Sequence, residues 1–262
     1  MEVHAPTHTD SSHPAAGGRK KCLPAGKAGT HYFREFLMLF LAVFCGFLAE
    51  FQLEHKIEKN REKQFMQSMV EDLKSDTASI ANFNQLRDVR HKMSDSLSKA
   101  VFENKYIENG SSVYFWGRGI SRRAFFFSTD GTMQQLKNSG GLRLISNKSI
   151  ADKIIAYDVL YRSILQQQEL EEVLLNEYRV MAGRIFDAAV FNKMANLKDT
   201  IIIERPEGNP QLKVSSPDIL NEFANKLNYW AVGSTRLLQL LEQLKKRAVA
   251  LIELIKKEYH LK

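Results

Sequence analysis

Apolar residues fall into two regimes along this chain: one unbroken run near the start, then long stripes at helical spacing. The run is Phe36 to Ala49, fourteen residues without a charge. Crossing the hydrocarbon layer of a bilayer takes about 20 mostly apolar residues. Extending from Tyr32 to Leu53 reaches twenty-two, at the cost of Arg34, Glu35 and Glu50. Arg34 stands at the end, where its long stem can snorkel to the headgroups. Tyr32, Phe33 and Phe51 suit the two interfaces. The run is thus expected to be a transmembrane anchor over 32–53. A cleaved signal is the weaker reading, because bulky Phe47 lies three residues before Glu50. So is a soluble core helix, because Leu37 to Leu48 is apolar all round and shows no stripe.

After Gly46 neither Gly nor Pro occurs until Gly110. Phe65, Met69, Leu73, Ile80, Phe83, Leu86, Val89, Met93, Leu97 and Val101 recur mostly at steps of three and four, which predicts an amphipathic helix continuing the anchor. Residues 50–102 would extend roughly 80 Å at 1.5 Å per residue. Asp76 falls in this stripe, either buried to set register or turned outward by a rotation of the helix. Residues 103–127 break the pattern. The runs VYFW and AFFF, separated by GRGISRR, read as two short strands. Ser128, Thr129 or Asp130 as N-cap and Gly140 as C-cap then enclose a short helix.

A second long helix is expected from Ser146 or Ser149 to about Asn196, with Ile150, Ile154, Tyr157, Tyr161 and Ile164 in its stripe. Gln166 to Gln168 shift the phase, and Leu170, Leu174, Tyr178, Met181 and Ile185 resume it. Ile201 to Ile203 and Leu212 to Val214 flank Pro206, Gly208 and Pro210, as in a small hairpin or extended loop. The last helix opens with Ser216 and Pro217. Its seam is Leu220, Phe223, Leu227, Trp230, Ser234, Leu237, Leu241, Leu244, Ala248, Leu251 and Ile255, alternating steps of three and four. Three helices of about 50, 45 and 42 residues predict an all-α fold: a transmembrane helix continuing into an antiparallel bundle over 54–262. Residues 103–145 would form a small irregular or β cap at the far end. The connector 197–216 would lie back toward the membrane.

Charge refines this picture. The formal net charge is +7, but Met1 to Glu35 carries five Lys/Arg against three Asp/Glu and the rest 32 against 27. This spread lacks the concentrated basic face of a nucleic-acid binder, so none is expected as partner. Residues 1–31 lack a hydrophobic pattern and read as a disordered basic tail. Its Arg19, Lys20, Lys21 and Lys27, with Arg34, give a slight positive-inside bias that leaves the main domain outside the cytoplasm. His4, His8, His13 and Cys22 in the tail are scattered without compact metal-ligand spacing, so no metal is expected. Cys22 and Cys45 are the only cysteines, which excludes a disulfide framework in the main domain.

No HExxH, P-loop or GxSxG is present. Gly117-Arg118-Gly119 lacks a third glycine and a βαβ context. His91 lies in VRHKMSDSL, faintly like a phospho-accepting histidine, but no ATP-binding pattern follows and a surface histidine is the plainer reading. No catalytic residue or cofactor is assigned. The candidate interaction residues are Tyr114, Phe115, Trp116, Arg118, Arg122 and Arg123, beside Phe125 to Phe127. Aromatics next to arginines have hot-spot composition and suit an anionic ligand, a glycan or a partner protein. The alternative is a plug for the end of the bundle, with the arginines left in water. Ala42 and Gly46 make one small-xxx-small pair, compatible with self-association.

The segments FREFLMLFLAVFCGFLAE, QLEHKIEKNREKQFMQSMVEDLKSD and LKNSGGLRLISNKSIADKIIAYD resemble a family of single-pass membrane proteins of Bacteroidetes-type bacteria. The likeness spans about Phe33 to Tyr161. The family has no assigned activity, so no functional residue carries over. The resemblance implies the cytoplasmic (inner) membrane of a Gram-negative cell, which would make the main domain periplasmic. The expected function is a non-enzymatic membrane-anchored scaffold or interaction protein. Its expected partners are the lipid bilayer and either a second copy or another membrane or periplasmic protein. The second expectation is an extracytoplasmic ligand-sensing module acting through a partner.

Overall fold

The computed structural model describes residues 26–196 and 202–261. His4, His8, His13 and Cys22 of the tail lie outside the described residues. The fold is all-helical apart from one pair of two-residue strands. Its elements are α1 (Gly26–Phe102), α2 (Gly110–Ile120), α3 (Gly131–Asn138), a 3-10 turn (Gly141–Leu144), α4 (Lys148–Ile185), α5 (Ala188–Lys193), β1 (Ala195–Asn196), β2 (Ile202–Ile203) and α6 (Pro217–Tyr259). The chain divides into two compact units, Met1–Lys56 and Ile57–Lys262.

In the first unit every residue from Tyr32 to Lys56 is exposed. α1 is the one helix among the described residues long and apolar enough to cross a membrane. Its most apolar 18-residue window has a mean hydropathy of 2.1 and none of it is buried.

The second unit is built on α1, α4 and α6, and its hydrogen bonds fix their directions. Along α1, Glu62 meets Ser146 at 2.6 Å, Asp76 meets Tyr157 at 2.5 Å and Arg87 meets Glu171 at 2.6 Å. The partner numbers rise together, so α1 and α4 run parallel. α6 runs the other way: Tyr259 donates to Glu62 at 2.5 Å, and Ser234 lies 2.9 Å from His91. The expected alternation, with the second helix returning and the third rising, is therefore corrected. The connector is corrected with it. Gly110 N–H donates to Asn209 Oδ1 at 2.6 Å, and Ser111 to the Pro206 carbonyl at 2.7 Å. Residues 203–216 thus sit with α2, at the end where α1 finishes and α6 begins.

A parallel second helix requires the chain to travel back along the bundle first. From Arg90 to Glu62, α1 measures about 42 Å at 1.5 Å per residue. An extended segment gains about 3.3 Å per residue, more than twice as much. Residues 122–129 use that economy, with no helix or strand ladder of their own, before Asp130 turns the chain into α3. Their backbone groups need partners from side chains. Gln168 supplies a two-way clamp, accepting from Phe126 N–H at 2.7 Å and donating to its carbonyl at 3.1 Å. Buried Asp76 accepts from Thr129 N–H at 2.6 Å and also from the Ser128 hydroxyl. Asp72 accepts from Thr132 N–H at 2.9 Å, at the start of α3. The AFFF segment is therefore extended but unpaired. VYFW is helical, because Val113, Tyr114, Gly117 and Ile120 are buried at steps of one, three and three rather than alternating.

Local signals place the helix ends. Asn147 caps α4, accepting from Ser149 and Ile150 N–H groups at 3.0 and 3.3 Å. α4 stops at Ile185, short of the expected Asn196, because Asp187 caps α5 through Ala189 N–H at 2.7 Å. Gly140 takes the left-handed conformation (φ 68°) after α3. Ile202–Ile203 pairs antiparallel with β1, Ile203 opposite Ala195, and not with 212–214.

Two apolar cores are stacked along the bundle. One joins Met66 to Phe83 of α1 with Ile150 to Ile164 of α4 and Leu237 to Ile255 of α6. The other joins Leu97 to Val101 with α2, Leu175 to Ile185 and Leu220 to Trp230.

Candidate functional site

Between the two cores lies a layer of buried polar side chains. α1 contributes Arg87, Arg90 and Ser94, α4 contributes Gln168 and Glu171, and α6 contributes Ser234. Arg87 is 1% exposed. It donates to Glu171 at 2.6 Å and also to the Ser234 hydroxyl. Arg90 donates to the Ile120 carbonyl at the end of α2 at 2.6 Å, and its guanidinium stacks 4.9 Å from the Trp230 ring. His91 also stacks on Trp230, at 5.9 Å, and lies 2.9 Å from Ser234 Oγ. It is half-buried, not the surface histidine its sequence context suggests.

Two guanidinium groups and one carboxylate share the layer, and this sets the electrostatics. Burial, then the neighbouring Arg87, lowers the Arg90 pKa to about 10. The same two causes, in the same order, lower that of His91 below 6.5. Several donors in the layer have no partner among the described residues: Arg87 Nε and Nη1, Arg90 Nε and Trp230 Nε1.

The layer opens sideways into a groove of about 460 Å³ between α1 and α2. Leu86, Val89, Met93, Phe115 and Ile203 form its apolar walls, Arg90 lines it from inside, and Arg122 and Arg123 stand at its edge. Leu86 is 61% and Val89 48% exposed. Gly119 permits the close approach of the two helices, since a Cβ there would lie 2.6 Å from Met93 Sδ.

Of the six residues singled out from the sequence, three meet in this groove: Phe115, Arg122 and Arg123. Tyr114 does not. It is fully buried, accepts from Asp187 N–H at 2.9 Å, donates to the Gln211 carbonyl at 3.0 Å, and packs against Phe186 and Phe191. Burial raises its pKa. Arg118 turns to the Phe191 ring at 5.4 Å, and half-buried Trp116 packs against the second core. Arg123 covers Phe125 at 4.1 Å, while Arg205 covers Phe115 at 4.6 Å. The plug and the site are thus different faces of one segment.

Arg87, Arg90 and Glu171 were not singled out from the sequence. The signal for them exists: Phe83, Arg87, Arg90, Ser94 and Leu97 keep helical steps, as do Ile164, Gln168, Glu171, Leu175 and Tyr178. Among the described residues no group of three or more His, Cys, Asp or Glu side chains is placed to hold a metal ion. No known family, no curated protein and no solved structure matches this chain.

Proposed function

We propose that this chain is a single-pass membrane protein of the bacterial inner membrane whose helical bundle works by binding rather than by catalysis, as a scaffold in the periplasm. The observation that carries the reading is the apolar length of α1 from Tyr32 to Leu53, exposed on all sides. Apolar surface of this extent is stable only under lipid or a partner. The resemblance to single-pass Bacteroidetes-type proteins supports the same compartment. The slight excess of Lys and Arg before the run supports an inside tail.

The test is fractionation followed by labelling. The protein should stay with membranes through alkaline carbonate and leave only with detergent. Release by carbonate would overturn the anchor. Cys22 should be shielded from an impermeant maleimide in spheroplasts, while a cysteine appended after Lys262 should react. The opposite pattern would reverse the orientation. Crosslinking followed by affinity capture tests the scaffold, and a chain that captures neither itself nor a stable partner would sink it. A second reading, a ligand-sensing module, is favoured by the groove between α1 and α2.

A further inference from the structure

We propose that the groove between α1 and α2 binds a small organic anion: one carboxylate carried on an apolar body, about 15 non-hydrogen atoms in all. This rests on the ligand-sensing reading and is independent of the membrane anchor. The size follows from the volume. About 460 Å³ divided by roughly 30 Å³, the share of one water molecule in the liquid, gives about 15 atoms. That volume falls in the ordinary range of ligand sites.

The apolar body is called for by the walls. Leu86 and Val89 are large aliphatic side chains left open on a helix whose neighbouring turns are buried. The charge is called for by three guanidinium groups on one groove. Arg122 and Arg123 are exposed at its edge, and Arg90 is 8% exposed within it, its buried Nε lacking a partner among the described residues. Glu172 is the carboxylate paired with Arg123. It lies 3.7 Å from Arg123 and is held at 2.8 Å by Arg179. Behind the groove, Arg87 and Arg90 face the single carboxylate of Glu171. One further negative charge balances that layer, and two would exceed it. A planar carboxylate also fits the guanidinium fork.

The test uses the full chain in nanodiscs of zwitterionic lipid, with equilibrium dialysis against empty nanodiscs. The probes are 1-naphthaleneacetate, 1-naphthaleneethanol, 2-(1-naphthyl)ethylammonium and 1-naphthyl phosphate, which share one apolar body and differ in charge. The carboxylate should bind at least tenfold more tightly than the alcohol and the ammonium, and more tightly than the phosphate. Arg122→Gln with Arg123→Gln, both exposed, should weaken it about tenfold, the worth of one charge-assisted hydrogen bond. Val89→Glu should abolish binding by placing a carboxylate in the wall. Unchanged melting curves for these variants would show that the fold is intact. Equal or tighter binding of the alcohol or the ammonium, or an unmoved affinity in the double arginine variant, would overturn the anion assignment while leaving a ligand site, and equal or tighter binding of the phosphate would overturn the assignment to a carboxylate. If none of the four binds, the ligand-sensing reading fails as well.

Discussion

Replacing Glu171 with Gln keeps the shape of the polar layer and removes its only carboxylate. Arg87, 1% exposed, then has no anion, and Arg90 stays buried beside it. Breaking a buried pair from one side typically costs about 3–5 kcal/mol. At ~3 °C per kcal/mol for a unit of this size, Glu171→Gln should lower the melting temperature by about 10 °C. The composition of the layer makes a sharper demand. Arg87→Met removes one of two cations and leaves Glu171 with Arg90, so it should cost less than Glu171→Gln. Arg87→Met with Glu171→Leu removes the ion pair altogether. It should recover most of the loss, because apolar replacement of a buried pair is often neutral or stabilising. Thermal unfolding of the full chain, followed by circular dichroism at neutral pH, measures all three. If the two single variants lose equally, or if the double variant loses the sum of both, the layer is not governed by its charge balance and the reasoning fails.

Three other outcomes are expected. Asp76→Ala should destabilise by about 1–3 kcal/mol, since it leaves the buried Tyr157 hydroxyl without its acceptor and frees two part-buried donors at Ser128 and Thr129; hydrogen exchange at Thr129 N–H should accelerate, and an unchanged rate would count against the tether. Gly117→Ala should cost about 1–3 kcal/mol, because its Cβ would lie 2.5 Å from the Phe186 ring, and a variant as stable as the parent in urea would contradict that packing. His91 resists protonation in the fold, with its pKa lowered from 6.5 by burial and Arg87 against the opposing pull of Asp95, Glu171 and Asp88. The unfolded chain therefore takes up more protons below about pH 6.5, so the His91 contribution to stability is complete above that pH and declines below it. His91→Gln should flatten that part of the melting profile.

The parts of this fold most legible in the sequence are those where the core face is apolar. Every residue of the α6 seam from Leu220 to Ile255 is buried, including Ser234. α1 ends at Phe102, where the stripe ends. The reading slipped where the core face turns polar. Leu86 and Val89 were placed in the stripe, yet Arg87 and Arg90 occupy the core face and the aliphatic pair lines the groove. Leu170 was placed inside, yet it is exposed while Gln168 and Glu171 are buried. The two slips are one event, because Arg87 and Glu171 are each other's partner. Hydropathy assigns a lone Arg or Glu to water, and only the pair makes its burial affordable. The helix directions were hidden for a different reason. Matched lengths are equally compatible with a hairpin and with a crossover, and the crossover depends on side chains such as Asp76 and Gln168 accepting an unpaired backbone. Phe115 reaches the groove while Tyr114 faces the core because consecutive helical side chains point about 100° apart, and Arg122 and Arg123 follow the end of α2 at Ile120.

The bond between Tyr259 and Glu62 joins residues 197 apart, and it has a consequence in time. At ~5–20 residues per second of synthesis, Glu62 is made ~10–40 s before its partner on the last turn of α6. Throughout that interval the α1 face from Met66 to Phe83 lacks the α6 residues that complete its core. A nascent chain of this design is therefore exposed to premature association over that interval. Its closure waits for α6.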